Sequence, residues 1–122
     1  TYTKIDPAVA SQPFLPVTME DSFMYRDEIG NFHALFHIWD PTAVGAHAFS
    51  RDGLHWQLSS VRAYTTRANT TDGGAVVYGR RERPHLILDE KRVPTHLISA
   101  VQYGPLPRDF SHTHIQAIGS AH

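Results

Sequence analysis

The sequence predicts an all-β protein made of short antiparallel strands. Three observations carry this. Apolar and polar residues alternate along Phe32–Trp39, the signature of a strand with two distinct faces. Turn signals recur at short intervals, among them Asp27-Glu28-Ile29-Gly30-Asn31, Arg51-Asp52-Gly53 and Asp72-Gly73-Gly74. No long window carries apolar residues at the spacing of three and four that a helix needs.

The elements follow in order. Residues 1–18 hold three prolines and little periodicity, so they read as an extended arm or linker. Residues 19–122 read as one partial domain. A first strand runs over Asp21–Arg26. The turn Asp27–Asn31 follows, with Gly30-Asn31 suited to positive φ. Phe32–Trp39 is the second strand: Phe32, Ala34, Phe36 and Ile38 share one face, and His33, Leu35, His37 and Trp39 share the other. Asp40-Pro41 ends it. Gly45–Ser50 and Trp56–Leu58 are the third and fourth strands, joined by an Asp-Gly turn. The polar stretch Thr65–Gly74 reads as a loop. Ala75–Tyr78 is a short β-rich run. Glu82–Leu88 and Thr95–Tyr103 form a hairpin around the turn Asp89–Pro94, and His114–Ile118 is the last strand. Strands this short and closely spaced point to a sandwich, a barrel or a propeller.

The chain has 122 residues and a net charge of −1. That length is one domain or part of one. Near-balanced charge implies no nucleic-acid or acidic-membrane partner, and no apolar run is long enough to span a bilayer. There is no cysteine, hence no disulfide framework and no thiolate metal site. Asn69-Thr70-Thr71 fits an N-glycosylation acceptor in a polar loop, which points weakly to a secreted or extracellular protein. With Thr at position 1, the chain reads as a processed or fragmentary product.

A faint internal repeat favours the propeller. Asp21-(Phe23, Tyr25)-Asp27-Glu28 parallels Glu82-(Leu86, Leu88)-Asp89-Glu90 in order. The offset that aligns Asp21 with Glu82 suits successive four-stranded blades. Ser50-Arg51-Asp52-Gly53-Leu54-His55-Trp56 supplies an Asp-Gly turn with a Trp placed to pack under it.

These segments, with Glu20-Asp21-Ser22-Phe23, Gly30-Asn31-Phe32-His33-Ala34-Leu35-Phe36-His37 and Arg80-Arg81-Glu82-Arg83-Pro84, resemble the five-bladed β-propeller glycoside hydrolases, the superfamily of arabinanase/xylosidase and invertase/levansucrase enzymes. The resemblance covers roughly Met19 to Tyr103. It implies a partial five-bladed propeller of about two blades. It makes Glu82, in a Glu-x-Pro motif, the general acid, and Asp21 the acid that orients substrate. Two departures stand out. Ser22 occupies the place of the family's proline. The family's first acid has no counterpart here, since the segment before Asp21 is too short to hold another blade.

The chemistry behind the resemblance is that glycosidic cleavage needs a protonated carboxyl on the leaving oxygen and a second carboxylate across the sugar. Arg80 falls on the face of Glu82 as a substrate contact or a partner of Asp21, and strand alternation turns Arg81 and Arg83 away from Glu82. Glu20 and His47 join Arg80 as candidate substrate contacts. An equally simple reading makes Glu82 and the arginines a structural ion-pair cluster and Asp21 a turn cap. The nine histidines, including His33 and His37 on one face and His112 and His114 on a strand, lack the spacing of a zinc site; neither metal nor cofactor is expected. Trp39, Trp56, Phe36, Phe49 and Tyr25 read as core.

The expected function is thus that of a fragment or subunit of a propeller glycoside hydrolase that hydrolyses or transfers glycosyl groups, furanosides among them. The expected partners are carbohydrate and either a second chain that supplies the missing blades or further copies in a homo-oligomer, because unpaired blade faces invite association. The alternative is a non-catalytic carbohydrate-binding or structural module.

Overall fold

In the computed structural model, residues 15, 18–39, 44–104 and 110–119 are described; apart from Leu15 and Thr18, the predicted arm lies outside them. Among these residues the fold is all antiparallel β, with no helix. The strands are β1 (Met19–Arg26), β2 (Phe32–Ile38), β3 (Gly45–Ser50), β4 (Gln57–Leu58), β5 (Arg67–Asn69), β6 (Ala75–Val77), β7 (Arg80–Leu88), β8 (Pro94–Gln102) and β9 (His112–Ala117). They form a four-stranded meander β1-β2-β3-β4, a hairpin β5-β6 and a three-stranded meander β7-β8-β9.

The predicted alternation of β2 sets the layers. Ala34, Phe36 and Ile38 pack with Leu15, Ala46 and Ala48 on one face, covered by Trp56 and Leu58. Leu35, on the other face, packs with Val44, Tyr64, Leu86 and Leu97 between the two meanders. A third cluster, Ala68, Tyr78 and Val101, joins the small hairpin to β8. The predicted Asp-Gly turn is ordered by Asp52, whose carboxylate accepts from the backbone N–H of Leu54 and of His55, both at 2.8 Å. The Trp56 indole donates to the Gly53 carbonyl at 3.0 Å, so the Trp does seal that turn.

The polar stretch 65–74 is only partly a loop. Arg67–Asn69 pairs with Ala75–Val77. The hairpin buries only Ala68 fully, so its sequence lacks the apolar alternation that marks a strand. Asp72 accepts from the Gly74 N–H and the Thr70 hydroxyl in the turn.

The two meanders repeat one design, with an offset that aligns Glu20, and not Asp21, with Glu82. The first hairpin of each meander closes the same way: Asp27 N–H donates to Asn31 C=O and Asp89 N–H to Val93 C=O, each at 2.9 Å. The first strand of each meander, β1 and β7, carries a bulge at the same place. Asp21 and Ser22 together oppose one residue of β2, between the pairs Glu20↔His37 and Phe23↔Leu35. Arg83 and Pro84 do so on β8, between Glu82↔Ala100 and His85↔Ile98. Asp21 and Arg83 have φ of 53° and 55°, the left-handed conformation of the first residue in one bulge type. Pro84 fits because a bulge spares its missing N–H. The structural counterpart of Glu82 is therefore Glu20, and that of Asp21 is Arg83. β1 and β7 are not hydrogen-bonded to each other, yet equivalent residues meet across the seam: Asp21 with Arg83, and Phe23 with His85 at 4.1 Å between ring centres.

Arg81 holds the second meander to the hairpin. It is 1% exposed and donates to the Ser99 hydroxyl, the carbonyls of Thr65 and Arg67, and the Gln116 side chain. Its guanidinium also lies 5.3 Å from the Tyr64 ring centre. Truncating it would strand those acceptors in the interior, where each unsatisfied group costs about 1–3 kcal/mol. Arg81→Met is expected to lower the urea midpoint by the equivalent of roughly 3 kcal/mol at unchanged slope. Gly45 faces the Tyr64 ring so closely that any Cβ would overlap it. Gly45→Ala should cost roughly 1–3 kcal/mol by overpacking, read in the same experiment.

Candidate functional site

The bulges decide what β1 and β7 present. In a regular strand Glu20 and Asp21 would point to opposite faces. The left-handed residue between Glu20 and the rest of β1 re-aims the side chains, and both acids reach the seam with β7. Glu20, Asp21 and Glu82 there offer carboxylate oxygens that all lie within 4.8 Å of one another. Three of the predicted site residues thus converge.

Three basic side chains border them. Arg80 Nε is 3.8 Å from Glu82, Arg83 Nε is 3.8 Å from Asp21, and His37 Nδ1 is 3.4 Å from Glu20. The expectation that Arg83 turns away is corrected by the bulge at Arg83 itself, which brings the side chain back toward the seam. The expectation for Arg81 holds, since it points into the interior. The carboxylates remain accessible: the side chains of Glu20, Asp21 and Glu82 are 40%, 37% and 26% exposed. A groove of about 140 Å³ runs beside Glu82, lined also by Arg80, Arg83, Ala100 and Ser111 among others.

The sequence does not single out His37 as a neighbour of the acids. Its side chain is only 7% exposed, and it packs edge-on to Trp39 at 5.9 Å; Trp39 itself is exposed, as is Phe49, so neither is the core residue the sequence suggests. Its place follows from register. Counting back from the Asp27–Asn31 turn without a bulge sets His37 opposite Asp21; one extra residue in β1 sets it opposite Glu20.

His47 lies elsewhere. On β3 it pairs with Leu35, and its Nε2 is 3.0 Å from Nδ1 of His33. It is not among the groups around the carboxylates, because β3 is separated from β1 by the whole of β2. His33 Nε2 in turn lies 3.0 Å from Asp27 Oδ2. That hydrogen bond, with those from Asn31, holds the Asp27 carboxyl down at about 2. Burial lowers His47, with His33 adding to the effect. His112 and His114 lie on β9 against Tyr78, whose hydroxyl meets His114 Nδ1 at 3.0 Å.

Three clustered carboxylates are the donor set a hard divalent cation takes. The two arginines at 3.8 Å supply positive charge in its stead. The arrangement can therefore bind a neutral, hydroxyl-rich ligand through charge-assisted hydrogen bonds from both carboxylates and guanidinium groups. It also holds carboxylates close enough for paired acid and base chemistry.

No family model, curated protein or solved structure matches this chain. Among the described residues no helix is long and apolar enough to cross a membrane.

Two histidines give the fold a defined pH response. His47 is lowered by burial and then by His33, and His114 by burial and then by Arg81 and His112. The unfolded chain therefore takes up these protons near the ordinary value of 6.5, before the native state does. Their stabilisation is complete above that value and is lost as pH falls below it. The urea midpoint should be lower at pH 5.5 than at pH 7.5; an equal or higher midpoint would contradict this assignment.

Proposed function

We propose that the seam of β1 and β7 is a carbohydrate site, and that the chain is part of a β-propeller glycosidase-like protein. The observation that carries the reading is the convergence of Glu20, Asp21 and Glu82 within 4.8 Å, from equivalent bulged strands of two repeated meanders. Adjacent inner strands bearing acids are what successive blades around a central axis would supply. The resemblance to propeller glycoside hydrolases stands on the motif residues and on this placement.

In this reading Glu82 protonates the leaving oxygen, Asp21 orients the substrate, and the carboxylate across the sugar comes from the further blades. Arg80 and Arg83 offset the crowded negative charge and donate to sugar hydroxyls. Glu20, braced by His37, accepts from a hydroxyl. Further blades come from another chain or from copies of this one. The site is read as extracellular, in keeping with the glycosylation triplet.

One observation favours a second reading, sugar binding without cleavage: Asp21 and Glu82 each already face an arginine, as in a static ion-pair cluster.

The test uses the native particle, with every chain in it identified by mass, assayed on aryl furanosides and pyranosides and on a glycan array. Turnover is expected. Glu82→Gln should lower kcat by about 10²–10⁴-fold, the usual worth of a general acid, while sugar binding persists. Binding without turnover selects the second reading. Neither binding nor turnover would remove the carbohydrate assignment.

A further inference from the structure

Asp27, His33 and His47 are joined at the far end of β2 from the carboxylates, and the proposed function uses none of them. Asp27 Oδ2 and His33 Nε2 are 3.0 Å apart, and His33 Nδ1 and His47 Nε2 are also 3.0 Å apart. The two imidazole planes are 9° apart with centres 5.3 Å apart. That separation is the N···N distance plus one ring radius at each end, so the rings lie end to end in one plane rather than stacked. The nitrogens point straight at each other, which is a hydrogen-bond geometry. Two lone pairs so directed do not converge on a shared metal ion.

The proton positions follow by elimination. Asp27, held down at about 2, is a pure acceptor at neutral pH, so His33 Nε2 carries a proton. Neutral His33 then accepts at Nδ1, and His47 must donate from Nε2. His47 is left with a lone pair on Nδ1. That nitrogen has no partner among the described residues, and it is not among the buried unpartnered atoms. His47 lines a groove of about 300 Å³ with Tyr25, Leu35, Ser59, Arg62 and Leu86.

We propose that Asp27, His33 and His47 form a proton relay that makes His47 Nδ1 a base, or hydrogen-bond acceptor, for a hydroxyl-bearing ligand in this groove. The proton balance is simple. A ligand hydroxyl gives its proton to His47 Nδ1, His47 passes its Nε2 proton to His33 Nδ1, and His33 becomes an imidazolium. The positive charge then sits against the Asp27 carboxylate and not on His47, whose charged form burial opposes. Burial that would oppose a charged His47 therefore does not prevent proton uptake. The chain has the base–orienter order of serine-hydrolase triads, with one imidazole inserted.

The other groups facing the relay are few. Tyr25 of β1 stacks on the His33 ring, at 4.8 Å between centres and 15° between planes. Glu28 of the first turn, and Lys91 and Arg92 of the β7–β8 turn, line the pocket beside Asp27 and His33. Arg62 lines the groove beside His47. Neither the geometry nor the test depends on the carbohydrate reading.

The test is the tautomeric state of each histidine in the intact chain, from ¹⁵N chemical shifts during a pH titration, together with acylation by diethylpyrocarbonate mapped by peptide mass. At neutral pH His47 is expected to carry its proton on Nε2 and to be acylated at Nδ1. On acidification one proton should enter the pair: His33 becomes doubly protonated, while His47 changes from Nε2–H to Nδ1–H at the same pH. In Asp27→Asn and in His33→Gln that coupled step should disappear. A His47 protonated on Nδ1 at neutral pH, or His33 and His47 titrating at separate pH values, overturns the relay. The unmutated protein decides this alone, so the outcome does not depend on either variant folding.

Discussion

One left-handed residue on each of two neighbouring strands is the constraint on which the site depends. Asp21 and Arg83 occupy a conformation that costs a non-glycine residue roughly 1–2 kcal/mol. Each is the first residue of a bulge, and each bulge falls where β1 meets β7. Without them, strict alternation would send neighbouring acids to opposite faces. With them, Glu20 and Asp21 share the seam with Glu82, and Arg83 turns back to Asp21. The ion pair across the seam joins the two strained residues to each other, so part of what the strain costs is offset at the place where it is stored.

Behind that seam lies a second electrostatic arrangement of opposite character. Glu82 is half-buried among charges, while its neighbour Arg81 is buried among neutral acceptors. A guanidinium taken out of water without a carboxylate partner is costly, and four hydrogen bonds to β5, β8, β9 and the segment before β5 are what make it tolerable. The same charge helps lower His114. Burial pushes the Tyr64 hydroxyl up, the Arg81 guanidinium pulls it partly back, and the Glu82 and Asp21 carboxylates push it further. Alternation along β7 thus separates two roles by one residue: Glu82 serves the surface and Arg81 serves the interior.

Much of the fold is legible in the sequence because its signals are local. The alternation of Phe32–Ile38, the turn at Asp27–Asn31 and the Asp52–Trp56 corner all depend on residues close in sequence, and each appears as expected. What the sequence hides is non-local or unpatterned. β5 buries one alanine and carries no alternation to read. Sequence alone aligns Asp21 with Glu82, because matching acids to acids is the natural guide; backbone geometry pairs Glu82 with Glu20 and Asp21 with an arginine. A bulge has no reliable mark in one sequence, and the misreading of side-chain direction at Arg83 and of register at His37 both trace to it. That Asp21 and Glu82 belong to one site is nonetheless what the resemblance implies, since it makes both of them site acids.

The odd-numbered face of β2 links the two polar ends of the molecule. His37 meets Glu20 at one end, His33 meets Asp27 and His47 at the other, and Leu35 between them belongs to the apolar layer between the meanders. The rise of the strand separates the two histidines by roughly 13 Å, which exceeds the screening length of about 8 Å at physiological salt. The two ends are therefore separate clusters. They also depend on the fold differently. The relay needs only β1, β2, β3 and the turn that joins β1 to β2, all within one meander. The carboxylate cluster needs both meanders in register. Loosening the packing around Leu35, Leu86 and Leu97 would separate Glu82 from Glu20 and Asp21 while leaving Asp27, His33 and His47 in line, so the cluster is the part of the molecule most sensitive to how the two sheets meet.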